Sequence, residues 1–261
     1  MAAERPYFSA SRLRPLLGTL AAVEAAGPLE SDLPAAIEAA YGCLARVEDL
    51  MRPASTGSDV HRINEAAPGQ RIPVDDWTYE VLALAAEIHR TSAGTFDPCR
   101  PVAPGRMSDV ELGGDGTVIC RKPVALDLGG IAKGFAVDRA VDALIAHGCV
   151  SGLVNAGGDL RVFGPSPRTV LVRTAHAAFE VELADCALSV SGPKTAASPA
   201  EHCGYYRGSD GETVAGRWVA ITARRSAVSD ALCKCAMLEE DAELDALLAR
   251  HGARRLPIPT S

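Results

Sequence analysis

Residues 126 to 138 read LDLGGIAKGFAVD, and the rest of the chain is interpreted from this stretch outward. Val124 to Leu128 has the pattern of a strand. Gly129 and Gly130 turn the chain into a helix whose apolar positions Phe135, Val137, Val141, Leu144 and Ile145 face one way. Gly148 is placed to end that helix. A carboxylate at the strand end (Asp127), two glycines that admit close backbone approach, and Lys133 in the first helical turn suit a phosphate and a cation.

The chain has 261 residues and a mass of 27.2 kDa, enough for a substantial core, and 1–261 is expected to form one compact unit. Its formal charge is -7, with Lys and Arg spread along the sequence, so no basic footprint points to nucleic acid. No run reaches the roughly 20 apolar residues of a membrane span. Met1 to Phe8 is interrupted by Glu4, Arg5 and Pro6, unlike a secretory signal, and a cytoplasmic location is expected. The eight cysteines are scattered rather than arranged as a dense disulfide framework, so reduced thiols are expected. Cys233 and Cys235 make only a C-x-C, too little for a zinc site.

Leu16 to Val23 reads as a first strand and Asp32 to Met51 as an amphipathic helix. Pro53 to Gly69 is polar and loop-rich, and Asp75 to Thr91 is a second helix. It delivers the chain to SAGTFDP, residues 92–98, where Pro98 holds Asp97 extended and Phe96 offers a flat face. On spacing alone a simple turn is the better reading of those residues. Pro101 to Gly116 is expected to be a loop, and Thr117 to Cys120 a strand paired with Val124 to Leu128. Two short strands flank the glycine turn NAGGD, residues 155–159. Further strands are expected at 170–173, 179–183, 187–191 and 217–223, with a polar, irregular stretch over 192–212. A helix from about Ala227 to Leu238, N-capped by Ser226, and a last helix from Ala242 to His251 close the chain.

Several chemistries are excluded. GPKT at 192–195 lacks the frame of a P-loop, and the glycines at 129, 130 and 134 are not spaced as in a dinucleotide fingerprint. The six histidines show no metal-ligand spacing, and Ser58, Ser189 and Ser191 sit in no nucleophile elbow. Asp97, Asp127, Asp159 and Asp230 each lie where a strand or turn meets a loop or helix, where side chains can share a cleft. Taken singly, each is an ordinary cap or turn residue. Together with the glycine turns they suit Mg²⁺, a hard cation that also binds phosphate oxygens.

These residues resemble the ApbE-type FAD:protein FMN transferases. Leu126 to Asp138 is similar to that family's LDLGGIAKGYAVD, with Phe135 for Tyr. Asn155 to Asp159 matches its glycine turn, Gly94 to Pro98 its GAFDP, Ala187 to Gly192 its ALATSG, and Asp230-Ala231-Leu232 its DAL. Gly18-Thr19 and Ser58 to Asn64 match further blocks in the same order. The resemblance implies an α+β, T-fold-like architecture of mixed antiparallel sheets and packed helices, with a ligand cleft between two lobes. It also implies Mg²⁺-dependent transfer of FMN from FAD to a Thr or Ser hydroxyl of a target flavoprotein, releasing AMP. Thr95, Phe96, Asp97, Asp127 and Lys133 then bind FAD, the Gly130 carbonyl and Asp230 bind the metal, and Asp230 is the catalytic centre. Two larger departures from the pattern stand out beside smaller ones at Leu17, where Met is usual, and Ala54, near a position often aromatic: Lys234 stands where the family has Thr, and Gly204 to Gly211 replaces its HIxDPxTG, with Tyr205 or Tyr206 as a substitute flavin contact. Lys234 lies one turn after Asp230 and is within ion-pair reach of it. Two other readings stay open: FAD hydrolysis to FMN and AMP, and a non-catalytic FAD-binding protein in which Lys234 substitutes for the metal.

Overall fold

The first hydrophobic segment is one arm of a hairpin. In the computed structural model, which describes residues 7–174, 177–192, 218–238 and 241–259, β1 (Phe8–Leu16) pairs antiparallel with β2 (Thr19–Gly27). Leu17 and Gly18 make the turn at φ 55° and 69°, the left-handed pair that a two-residue hairpin demands. The expected strand at 16–23 therefore straddles the turn. β1 shows little in the sequence because it is an edge strand carrying Arg12 and Arg14, with Leu13 exposed.

The chain continues through α1 (Leu33–Met51), α2 (Asp59–Asn64), β3 (Arg71–Pro73), α3 (Asp76–Thr91), β4 (Val110–Leu112), β5 (Thr117–Cys120) and α4 (Ala132–Ala146). There follow β6 (Ser151–Ala156), β7 (Asp159–Phe163), β8 (Arg168–Arg173), β9 (Ala178–Leu183), β10 (Ala187–Ser191), β11 (Val219–Ala223), α5 (Ser226–Leu238), α6 (Asp241–Arg250) and β12 (Arg254–Leu256). Among the described residues the main sheet runs in the order β1, β2, β6, β7, β10, β11, β12, a small sheet in the order β3, β5, β4, and β8 pairs with β9. All these pairings are antiparallel, and the fold is α+β. No helix among the described residues is long and apolar enough to cross a membrane.

The main sheet is covered on both faces. Val23, Val154, Ala156 and Ile221 point to the helical side, where they join Ile37, Leu44, Phe135, Leu144 and Leu232 in one core. Leu153, Leu160, Val162, Leu188 and Ala220 point the other way, onto Val172 and Leu183 of the β8–β9 hairpin. Period-two alternation thus feeds two cores, which is why β6 and β7 read as nearly continuous apolar runs. Leu44, Phe135 and Leu144 are fully buried, and each such side chain contributes roughly 1.5–3 kcal/mol.

Val124 to Leu128 is extended but is not a ladder strand. Leu126 makes a single bridge to Cys99, and the side-chain amide of Asn64 takes the place of a neighbouring strand, accepting from Leu126 N at 2.7 Å and donating to its carbonyl at 3.0 Å. Pro98 and Pro123, which lack an N–H, stand at either end of this region and cannot extend a ladder. Thr117 to Cys120 pairs with β3 and β4 instead. The alternation still holds, because Leu126 and Leu128 are buried with Ile131 and pin the glycine turn to the core.

Other expectations need correction. Ile145 is 48% exposed, so the apolar face of α4 is narrower than the spacing suggests. The loop at 53–69 contains α2, whose N-cap Ser58 accepts from His61 N at 3.0 Å. The loop at 101–116 contains a 3-10 turn, Met107–Asp109, and β4. β12 follows the last helix and adds the outer strand of the main sheet. The polar stretch 192–212, apart from Gly192 itself, lies outside the described residues.

Ser226 begins α5 rather than capping it. The N–H groups of Ser226 and Ala227 donate to the two carboxylate oxygens of Asp138, at 2.8 and 3.0 Å. This cap comes from α4, and the two helices approach so closely that a Cβ on Gly134 would lie 2.2 Å from the Ser226 carbonyl oxygen. Gly134→Ala should therefore destabilise the fold by about 1–3 kcal/mol, the usual cost of overpacking. Denaturant unfolding checks this: the midpoint should fall with little change in slope, and an unchanged midpoint would show that the helices are free to separate.

Candidate functional site

The close approach of α4 and α5 works in both directions. Asp138 of α4 caps α5, and Asp230 of α5 accepts from Gly134 N at 3.2 Å in the first turn of α4. Each carboxylate lies at the positive end of the other helix, where negative charge is favoured. Asp230 is thereby fixed with no exposure at the start of the helix that the opening stretch leads into.

Three further charges surround it. Lys234, one turn along α5, brings Nζ to 2.9 Å from Asp230 Oδ1 and donates to Ser191 Oγ at 3.0 Å. Lys133, in the first turn of α4, is ion-paired with Asp159. Asp159 is delivered by the β6–β7 turn, where Gly157 and Gly158 adopt φ of 68° and 99° and Asn155 Oδ1 accepts from Gly158 N at 3.0 Å. The two carboxylate side chains are 0% and 3% exposed, and the lysine side chains 13% and 29%. Negative charge therefore lies deeper than the lysine side chains that meet it. On the β10 side, the Ser189 and Ser229 hydroxyls are 2.9 Å apart and the Cys233 thiol donates to the Ser189 carbonyl at 3.2 Å.

Burial works to raise the Asp230 carboxyl, but the ammonium groups of Lys234 and Lys133 outweigh it and hold the group below the usual range. Asp159 moves the other way, because burial and the Asp230 carboxylate together exceed the pull of the two lysines. Burial works against the charge on Lys133, yet Asp159 and Asp230 more than offset it and raise the ammonium. Cys233 is pushed up to about 12 by burial and stays a neutral thiol.

The residues expected to form the site divide into two groups. A Cβ on Gly130 would lie 3.4 Å from Lys234 Cγ and 3.6 Å from Phe96 Cε2, so Phe96, Gly130 and Lys234 are contiguous. Together with Lys133, Asp159 and Asp230 they form one charged corner. Phe96 is only 5% exposed, so its ring packs inside rather than offering a free face. Asp97 serves its own turn, accepting from Cys99 N at 2.9 Å and Met107 N at 3.2 Å. Asp127 accepts from Gly129 N at 2.9 Å and shapes the glycine turn. Thr95 N donates to the Ser92 carbonyl at 3.0 Å. Two contributors were not foreseen: Ser191, which anchors Lys234, and His89, whose Nδ1 lies 2.9 Å from the Phe96 carbonyl oxygen. Ser191 stands in the ALSVSG block, but nothing local distinguishes it from a strand serine. Tyr205, Tyr206 and the rest of 204–211 lie outside the described residues.

A Mg²⁺ ion asks for near-octahedral oxygen coordination, usually with one or two carboxylates. Here Asp230 Oδ2 accepts from Gly134 N, while Oδ1 is buried without a hydrogen-bond partner and has the Lys234 ammonium 2.9 Å away as an ion pair, and Asp159 is met by Lys133. Two carboxylates and two ammonium groups already balance. The Lys234 ammonium, 2.9 Å from Asp230 Oδ1, opposes a second cation at that oxygen. Among the described residues no three His, Cys, Asp or Glu side chains gather as a ligand set. The donor set in this arrangement does not fit a divalent ion.

Comparison with known proteins places the fold. The flavin transferase ApbE from Vibrio cholerae superposes with a TM-score of 0.82 at 18% identity, covering 96% of this chain and 93% of that one. The apo flavinyl transferase ApbE of Pseudomonas stutzeri gives 0.78 at 22% identity, covering 95% and 90%. At such identities the likeness shows a shared fold. A curated FAD:protein FMN transferase of Treponema pallidum (strain Nichols) is 26% identical over 186 residues, 59% of this chain, and the match spans about half, 51%, of that protein's length. The sequence pattern of the ApbE family matches residues 17–103 and 100–256, nearly the whole chain. With that match over nearly its whole length, the chain belongs to the ApbE family.

Proposed function

We propose that this chain is a flavin transferase that moves FMN from FAD to a Thr or Ser hydroxyl of a flavoprotein. The acceptor oxygen attacks the phosphorus of the FMN half, the pyrophosphate P–O bond breaks, AMP leaves with the bonding electrons, and the hydroxyl proton is released. One observation carries this reading: two lysines, Lys133 and Lys234, are held over buried carboxylates beside the glycine turn that opens α4. Fixed ammonium groups of this kind bind a diphosphate and stabilise charge that grows on the leaving phosphate. Asp230 and Asp159 act as positioning residues that set the two ammonium groups, and the Asp127 turn holds the Gly129–Gly130 backbone beside them. Mg²⁺, which the family resemblance suggests, is given no step, because the Lys234 ammonium already lies 2.9 Å from Asp230 Oδ1.

Incubation of the protein with FAD and a panel of flavoprotein domains should give an acceptor heavier by one FMN and an equal amount of AMP. FMN and AMP free in solution, with no labelled acceptor, would assign hydrolysis instead, and no cleavage of FAD would overturn the reading. Lys133→Met should weaken FAD binding about tenfold or more, the cost of one charged hydrogen bond. A fluorescence titration measures this, and unchanged affinity would remove Lys133 from the site.

A further inference from the structure

The ammonium of Lys234 is placed as a bound cation would be. It lies against a fully buried carboxylate, is anchored a second time by the Ser191 hydroxyl, and its stem packs beside Gly130, where any side chain would touch it. Its side chain retains 13% exposure while that of Asp230 has none. A tethered ammonium differs from a bound metal in two measurable ways. It cannot be removed by a chelator, and it brings one positive charge rather than two. With Lys133 close by, the two lysines together supply the same formal charge as one divalent ion.

We propose that Lys234 is a built-in cation that engages the FAD diphosphate in place of a divalent metal, making FAD binding by this chain metal-independent. The inference rests on the flavin reading given above. It specifies how the chain meets the charge of its substrate, and it explains why Asp230 is held so firmly. The carboxylate orients the ammonium instead of coordinating an ion. Lysine serves phosphate as a compact point charge, so the role asks only for position, and Asp230 and Ser191 fix that position.

The test is an FAD titration of the full chain in EDTA and in millimolar Mg²⁺, for the natural protein and for Lys234→Thr. The natural protein should show the same affinity in both buffers within about twofold. Lys234→Thr should bind about tenfold more weakly in EDTA, recover with Mg²⁺, and show a melting temperature that Mg²⁺ raises. Loss of FAD binding by the natural protein in EDTA, with recovery in Mg²⁺, would overturn the proposal and leave the flavin reading standing. No FAD binding in either buffer would overturn the flavin reading, and the proposal with it. A folded Lys234→Thr that binds like the natural protein in EDTA would also overturn the proposal. If Lys234→Thr fails to fold, the comparison of the natural protein in the two buffers decides alone.

Discussion

The organisation of this chain depends on an exchange of carboxylates between two helices. Asp138 of α4 closes the N-terminus of α5, and Asp230 of α5 accepts from the first turn of α4. Neither contact forms unless the helices nearly touch, and Gly134 is the residue that lets them. Both helices lie on the same face of the seven-stranded sheet, so the exchange also sets the corner where the β6–β7 turn and β10 meet them. A buried carboxylate is costly unless it is paired and hydrogen-bonded. Asp138 meets that demand with backbone N–H groups and with Arg161 and Arg225, whereas Asp230 has one hydrogen bond, from Gly134 N, and the Lys234 ammonium as the counter-charge beside its other oxygen.

The site follows from that constraint. Once Asp230 is fixed, a lysine one turn further along α5 must come near it, and Ser191 of β10 completes the hold. Lys133 and Asp159 make a second pair across the gap between α4 and the β6–β7 turn. The result is a neutral group of four charges in which the carboxylates are more deeply buried than the lysine side chains.

Much of this was legible in the sequence. The glycine turn, α4, the β6–β7 hairpin and the four aspartates at element ends all follow from local pattern. What was not legible is pairing. Val124 to Leu128 has the composition of a strand, yet on one side it bonds only to Pro98 and Arg100 and on the other Leu126 bonds to the side chain of Asn64, and no periodicity reports that. Ser226 looks like an N-cap because serine usually is one, but Asp138 supplies the cap from 88 residues away. β1 was missed because an edge strand needs only one bonded side and carries arginines. By chemistry Asp97 and Asp127 group with Asp230, whereas the fold gives Asp127 to its own turn and Asp97 to the backbone N–H groups of Cys99 and Met107. Sequence spacing suggested that Lys234 could reach Asp230, and the structure adds the anchor at Ser191 and the burial that turn an ion pair into a fixed charge.

A crystal structure of the chain grown with FAD and Mn²⁺, with anomalous data collected at the manganese edge, tests the central claim most directly. The account predicts a phosphate oxygen of FAD within hydrogen-bond distance of Lys234 Nζ and no anomalous peak beside Asp230. A manganese peak between Asp230 and the Gly130 carbonyl, with Lys234 turned away from both, would contradict it.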